Sequence, residues 1–330
     1  MKPFEYEKAT DVTHALTLLA ERPNARFLGG GTNLVDLVRR GVETPDSLVD
    51  VTGLPLSEVE ETPNGGLRIG AVVTNADLAH HPVVRTRYPL LSQAVLAGAS
   101  GQLRTMATVG GNLLQRTRCV YFTDLTAGCN KREPGSGCSA RDGFSRYAAV
   151  LGTSEHCVAV HPSDMAVALA ALDARVELTS AAGVREVAVT DLYRLPGETP
   201  NLETVVSAGE LVTAVVLPPP PPGVARYRKV RDRASYAFAL VSVAAVLGVE
   251  DGRITTARLA LGGVAPKPWR AAAAESLLFG AEPTDAMFAT AIDAELADAK
   301  PLPDNEFKLG LTSRTVVAVL RRLRDEAVAE

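Results

Sequence analysis

Apolar positions recur along the chain with two alternating periods, and these predict an ordered series of helices and strands. Residues 11–19 carry apolar side chains at helical spacing behind Asp11, a residue type that caps a helix by accepting a backbone N–H. The apolar run ending at Leu28 reads as a strand, a helix continues over 35–38, and 47–51 and 66–71 read as further strands. Thr74 caps a predicted helix over 75–80, residues 89–97 form a buried one, and Pro162-Ser163-Asp164 opens an apolar helix over 165–172. Strands are predicted at 175–179, 185–189 and 211–217. Residues 218–222 are all proline, which suits neither a helix interior nor a central strand and marks a stiff connector. Sheet segments follow at 225–230, 238–249 and 254–262, then helices over 268–278, 283–297 and 312–327. On the last helix Arg321, Arg322, Arg324, Asp325 and Glu326 read as a solvated face. The pattern is that of an α+β protein without internal repeats.

Composition narrows the function classes. The chain has 330 residues, long enough for two or three domains with sizeable cores, and its 46% hydrophobic and 22% charged residues suit a folded chain. With 34 Lys+Arg against 38 Asp+Glu, the net charge of −4 offers no basic field for nucleic acid. No stretch approaches the roughly 18 apolar residues of a membrane helix, and the opening Met1-Lys2-Pro3-Phe4-Glu5-Tyr6-Glu7 has no apolar signal core. The expectation is therefore a cytoplasmic product, or one exported with a signal-bearing partner.

All four cysteines, Cys119, Cys129, Cys138 and Cys157, fall in one short stretch. Two disulfides would suit a small secreted scaffold better than this chain. The steps between the cysteines contain no close C-x₂₋₄-C pair, the usual seat of structural zinc, and loops of this size can wrap a bulkier [4Fe–4S] cube. Spacing leaves zinc and the cube open, with disulfides as a third reading. The intervening Asn130-Lys131-Arg132-Glu133-Pro134-Gly135-Ser136-Gly137 is polar and turn-rich.

Two glycine segments point to a phosphate-bearing ligand. In Leu28-Gly29-Gly30-Gly31-Thr32-Asn33-Leu34, successive glycines let the backbone approach closely and turn N–H groups toward an anion, although the run is neither a Walker loop nor G-x-G-x-x-G. In Arg104-Thr105-Met106-Ala107-Thr108-Val109-Gly110-Gly111-Asn112-Leu113, Thr108 and Asn112 offer hydrogen-bonding side chains, and Arg104 is either a phosphate ligand or a solvated cation. Two such loops suit the two ends of a long dinucleotide.

The glycine loops, Cys119, Asp164, the proline connector and Arg226-Tyr227-Arg228-Lys229-Val230-Arg231 together resemble the FAD-binding medium subunits of the molybdenum hydroxylase (xanthine dehydrogenase) family, over essentially the whole chain. Within it, Gly111-Asn112-Leu113-Leu114-Gln115-Arg116-Thr117-Arg118-Cys119, Cys129-Asn130-Lys131-Arg132, Pro134-Gly135-Ser136-Gly137-Cys138 and His161-Pro162-Ser163-Asp164 are similar to the periplasmic aldehyde oxidoreductase branch. That resemblance implies a two-part FAD-binding domain of the vanillyl-alcohol-oxidase-like type over 1–217, with parts at about 1–55 and 56–217 and a cysteine-bearing insertion at 113–160. The connector spans 218–224, and a CO dehydrogenase flavoprotein C-terminal-like α+β domain spans 225–330. It also implies a [4Fe–4S] cluster on Cys119, Cys129, Cys138 and Cys157. FAD would be held by Arg26, Phe27, Leu28, Gly29, Gly30, Gly31, Thr32, Asn33 and Leu34 around its pyrophosphate, with Thr108, Gly111, Asn112 and Asp164 as further partners. Val212 would line the wall, and Lys229 would approach the flavin ring. Leu113 stands where the family often has Ile, a conservative departure.

By the same resemblance the chain has no substrate-oxidising residues of its own. A molybdopterin-binding large subunit oxidises an aldehyde to a carboxylic acid, a [2Fe–2S] small subunit relays the electrons to FAD, and FAD passes them to an external acceptor such as oxygen, a quinone or a soluble carrier. Rival readings are a self-contained FAD-dependent oxidoreductase, a flavin subunit like that of 4-hydroxybenzoyl-CoA reductase, and a zinc-stapled binding protein.

Overall fold

The computed structural model describes residues 2–327. The first strands and helices are β1 (Glu5–Lys8), α1 (Val12–Glu21), β2 (Ala25–Leu28), α2 (Leu34–Arg39) and β3 (Ser47–Asp50). Asp11 caps α1 by accepting the His14 N–H at 2.8 Å, and the helix buries Ala15, Leu16 and Leu18. The three strands pair in parallel in the order β1-β3-β2, so every β3 residue is covered and the loop after β2 leaves the sheet at its C-terminal edge.

β4 (Val59–Glu61) and β5 (Leu67–Gly70) precede a run of helices: α3 (Asn75–His80), α4 (Pro82–Arg87), α5 (Pro89–Ala97), α6 (Gly101–Arg104), α7 (Val109–Leu113), α8 (Val120–Thr123) and α9 (Asp164–Ala171). Then come β6 (Arg175–Ser180), β7 (Gly183–Ala188), α10 (Val189–Leu192) and β8 (Leu211–Leu217). The sheet is antiparallel in the order β4-β5-β8-β6-β7, with the apolar β8 at its centre, where both faces are covered. The last unit comprises β9 (Val224–Val230), β10 (Val241–Glu250), β11 (Arg253–Gly262), β12 (Trp269–Arg270), α11 (Ala272–Leu278), α12 (Asp285–Glu295) and α13 (Phe307–Ala327), its antiparallel sheet running β12-β11-β10-β9.

Helix α9 is the seam of the molecule. Every residue in it is buried, and it shares one apolar core with α5, β5, β6 and β8 on one side and Ala244, Val246 and Ala260 of the last sheet on the other. That is why its sequence is apolar all round rather than amphipathic. Gly262 permits the approach: a Cβ there would lie 2.6 Å from Val167 Cγ2.

Four expectations need correction. Helix α11 starts at Ala272, because Trp269 and Arg270 first pair with Leu261 and Ala260 as β12. β10 starts at Val241 rather than 238, since Tyr236, Ala237, Phe238 and Ala239 form a cavity wall instead. Helix α13 begins at Phe307, where Asn305 and Lys308 anchor its first turn to Ala148 O at 3.1 and 2.9 Å. Its charged end is not wholly solvated: Arg324 and Arg321 reach Asp285 of α12 at 2.9 and 2.6 Å, and Glu326 reaches Arg226 of β9 at 2.5 Å.

Candidate functional site

The two glycine segments interlock backbone to backbone. A Cβ on Gly30 would sit 1.6 Å from the Met106 carbonyl oxygen, and one on Gly29 would sit 2.8 Å from Thr108 Oγ1, so only glycine allows the loops to meet. Among the described residues, the N–H groups of Gly30, Gly31, Thr32 and Asn33 donate to no protein acceptor. Thr108 caps α7, its hydroxyl oxygen accepting the Gly111 N–H at 3.2 Å. Asn33 Oδ1 accepts the Arg116 N–H at 2.8 Å, which leaves Asn33 Nδ2 buried and without a partner.

A groove with two lobes runs over these loops. One lobe, about 320 Å³, is lined by Arg26, Phe27, Gly29, Gly30, Gly31, Thr32, Asn33 and Leu34, by Thr108 and Gly111, and by Val212 of β8. The other, about 600 Å³, is lined by Asn75, Asn112, Asp164, Met165 and Lys229. Thr32, Asn33 and Gly111 line both, so the lobes meet over the glycine loops. Of the residues that the resemblance assigns to FAD, Leu28 alone lies outside both linings, at the end of β2. Asn112 is tied down: its Oδ1 lies 2.6 Å from Ser163 Oγ and 3.0 Å from Gln115 Nε2, which fixes α7 against the start of α9. Arg104 is half-buried and lies outside the groove; it holds the Leu96 and Gly98 carbonyls at 3.3 and 2.8 Å.

At the far end of the second lobe, Asp164 and Lys229 form a buried ion pair of 2.8 Å with only 8% and 4% of their side chains exposed. Ser163, not Asp164, caps α9, through a 2.9 Å bond from the Ala166 N–H. Tyr227 donates its hydroxyl to Asp164 Oδ1 at 2.6 Å, and Lys229 also donates to Ala97 O at 3.2 Å. Burial, and then the Asp164 charge, hold the Tyr227 phenol well above its ordinary range, so it stays a donor. Lys229 thus lies on an edge strand, yet it is a buried cation rather than a surface one.

The cysteine insertion is built without long regular elements. Cys119, Cys129, Cys138 and Cys157 are all free thiols, and all four line one small cavity. Cys129 and Cys138 face each other across a bridge whose turn is organised by Asn130, its Oδ1 accepting the Gly135 and Gly137 N–H groups at 3.1 and 2.9 Å. Gly135 and Gly137 hold φ of +89° and +90°, which favours glycine at both. Arg132 ties the turn to α8 through the Tyr121 and Phe122 carbonyls at 2.8 and 2.9 Å. The Ala159 N–H lies 3.4 Å from Cys157 Sγ, and the Tyr121 and Phe122 N–H groups point at the Cys119 sulfur. Burial raises the Cys119 thiol and pushes Cys157 up to about 11, so each would release a proton on binding a metal.

Among the described residues, no three His, Cys, Asp or Glu side chains converge closely enough to chelate a single ion. A four-iron cube sets its thiolates farther apart, and N–H donors on the sulfurs are among the groups that tune such clusters. Four thiols with N–H groups at two of the sulfurs are donor chemistry that such a cluster takes.

Several site residues were given no role of their own by the sequence. Asn75 lines the second lobe with its Oδ1 buried and without a partner. Tyr227 reaches the site only because β9 lies against α5, where its N–H donates to Gln93 Oε1 at 2.8 Å. Arg116 connects the groove to the insertion. Burial opposes its charge, but Glu203 and Glu43 outweigh that and raise its pKa, and Glu203 lies 2.6 Å away.

This fold and groove define a flavin-binding subunit, and the chain belongs to the family of FAD-binding medium subunits of molybdenum hydroxylases. Residues 2–220 match the FAD binding domain in molybdopterin dehydrogenase, and residues 225–323 match the CO dehydrogenase flavoprotein C-terminal domain. It is therefore an oxidoreductase subunit. The chain is 53% identical to the aldehyde oxidoreductase FAD-binding subunit PaoB of Escherichia coli (strain K12) over 328 residues, 99% of this chain and 100% of that protein. It is 28% identical to the glyceraldehyde dehydrogenase medium chain of Sulfolobus acidocaldarius, over 86% of this chain and 83% of that one. Among solved structures, quinoline 2-oxidoreductase from Pseudomonas putida 86 superposes with a TM-score of 0.77 at 25% identity, covering 99% of each chain. No helix among the described residues is long and apolar enough to cross a membrane.

Proposed function

We propose that this chain is the FAD- and [4Fe–4S]-bearing electron-transfer subunit of a molybdenum-dependent aldehyde oxidoreductase. Its partners are a molybdopterin-binding large subunit and a [2Fe–2S] small subunit, and it is periplasmic by export with a signal-bearing partner, or cytoplasmic. The observation that carries this reading is the 53% identity to an aldehyde oxidoreductase FAD-binding subunit over practically the whole of both chains. The four free thiols around one cavity support the cluster.

Bound FAD supplies the exchange of electrons between the partner's iron–sulfur centre and an external acceptor. The free N–H groups of Gly30, Gly31, Thr32 and Asn33, with Asn33 Nδ2, hold its pyrophosphate. The Asp164–Tyr227 hydrogen bond and the Ala97 carbonyl orient Lys229, whose ammonium favours negative charge on a reduced flavin ring. Val212 and Leu211 keep water from the first lobe. Cys119, Cys129, Cys138 and Cys157 hold the cluster, which Arg132 and Asn130 pre-shape by fixing their loop.

Purification without oxygen, followed by flavin, iron, sulfide and zinc counts, tests the assignment. About four irons and four sulfides beside one flavin are expected; zinc without flavin sinks the reading. Cys129→Ser is expected to lose the cluster spectrum while retaining flavin. Full iron content in that variant would remove Cys129 from the ligand set.

A further inference from the structure

Between the second lobe of the groove and the cysteine insertion lies another cavity, about 460 Å³. That is within the range of small-molecule sites. Arg118, Pro162, Asp164 and Phe238 line both this cavity and the groove, so a ligand here is separated from the Lys229 end of the groove by a single layer of side chains. On the opposite side Cys119 and Tyr121 belong to both the cavity and the cysteine pocket. The cavity therefore abuts both proposed redox centres.

Its lining has a definite chemistry. Tyr121, Phe144, Tyr147, Tyr236 and Phe238 give it aromatic walls, with Phe144 and Tyr147 edge to face at 5.8 Å. Most charges around it are already spent. Asp232 takes bonds from Arg146 and Tyr147 at 2.7 and 2.9 Å, Asp164 is paired with Lys229, and Arg233 bonds the Tyr236 carbonyl at 3.0 Å. Two lining side chains keep buried polar atoms without partners: Arg118 at Nε, and His161 at both ring nitrogens. Arg118 is also stacked over the Phe238 ring at 5.1 Å. His161 rests against the Tyr193 ring at 4.3 Å; burial lowers its pKa to about 4, with the Glu203 charge and the nearby Leu113 carbonyl opposing, so it is neutral and carries one N–H.

Flat aromatic walls with two donors suit a planar conjugated ring that bears carbonyl oxygens. A nicotinamide dinucleotide would need a second phosphate cradle, which this lining lacks among the described residues.

We infer that this cavity binds an electron acceptor of the quinone class, with its ring between the aromatic walls and its carbonyl oxygens on Arg118 and His161. The inference rests on the flavin reading above. Two electrons and two protons pass from the dihydroflavin to the quinone, whose two carbonyl oxygens become the hydroxyls of a quinol, and the flavin is left oxidised. The quinol then leaves through the wall formed by the β9–β10 connection, where Tyr236 and Phe238 are 63% and 48% exposed.

The test uses the full chain after its flavin has been counted, with 2-methyl-1,4-naphthoquinone as probe. Its affinity is measured by equilibrium dialysis, and reoxidation of the photoreduced flavin is followed by stopped flow without oxygen. His161→Phe keeps the ring and removes its nitrogens; Ala239→Trp fills the cavity from a residue outside the FAD groove. We expect saturable quinone binding by the native chain, roughly five- to ten-fold weaker in His161→Phe and lost in Ala239→Trp. Reoxidation by ferricyanide, which needs no cavity, stays unchanged in both. Equal quinone affinity in all three proteins, or no binding by the native chain, overturns the inference. A preparation without flavin overturns the cofactor reading instead, and dialysis of that same sample still decides the cavity.

Discussion

The FAD groove and the cysteine insertion adjoin each other, yet different forces hold them. The groove is framed by strands and helices whose apolar faces meet in one core, with β8 and α9 buried almost throughout. Its loops are placed by glycines that let two backbones touch. The insertion has one short helix and otherwise turns, fixed by Asn130, Arg132 and Lys131 bonding to backbone oxygens and amides. It reaches the last domain through Val150 and Leu151, whose N–H groups donate to Val264 O at 2.8 and 3.0 Å and whose side chains join that domain's core. A groove formed by packing is shaped before its ligand arrives. A loop held by side-chain bonds to backbone leans on whatever its thiols bind.

The largest expected effect breaks one region while sparing the other. Gly30→Ala drives a methyl group into the Met106 carbonyl, so the loops must part. Flavin is expected to be lost entirely from the purified variant, while any iron carried by the native chain stays. Together with Cys129→Ser, which should do the reverse, this gives a double dissociation. Loss of both cofactors in either variant would mean that the two regions fold as one cooperative unit.

Next in size is Lys229→Met, which leaves the Asp164 carboxylate buried without its cation. Breaking a buried pair in this way costs about 3–5 kcal/mol, and adding Asp164→Asn should recover much of it. Urea unfolding of the two variants measures this. A cost below about 1 kcal/mol would show that the pair is more solvated than its burial implies.

The smallest effect concerns pH. His161 is neutral in the folded chain because burial lowers its pKa to about 4, whereas an unfolded histidine titrates near 6.5. The unfolded state therefore binds the proton more readily. The contribution to stability is complete above about pH 6.5 and is lost as pH falls toward 4, on the order of 3 kcal/mol in all. In His161→Phe the unfolding free energy should be flatter across that window. An unchanged slope would place the ring nitrogens in contact with water.

Much of the fold was legible in the chain because local rules decided it. Asp11, Thr74 and the Pro162-Ser163-Asp164 opening mark helix starts that need only their own neighbours. The short α6, α7 and α8 were not legible, since each is a single turn stabilised by what packs on it rather than by its own periodicity. β12 was missed for a related reason: Trp269 and Arg270 are strand only because β11 lies beside them.

The candidate site divides along the same line. Sequence alone determined the residue types that chemistry requires: glycines where two loops touch, four thiols within one stretch, and a fully apolar helix carrying Asp164 at its start. Only the tertiary structure decided that Lys229, sixty-five positions from Asp164, is its buried partner. It also decided that Tyr227 and Asn75 border the groove, and that Arg118 and His161 line one cavity. The physical reason is range. Conformational preference and close approach act between neighbours and leave a mark in the sequence, whereas pairing and desolvation of distant charges depend on which elements the core brings together.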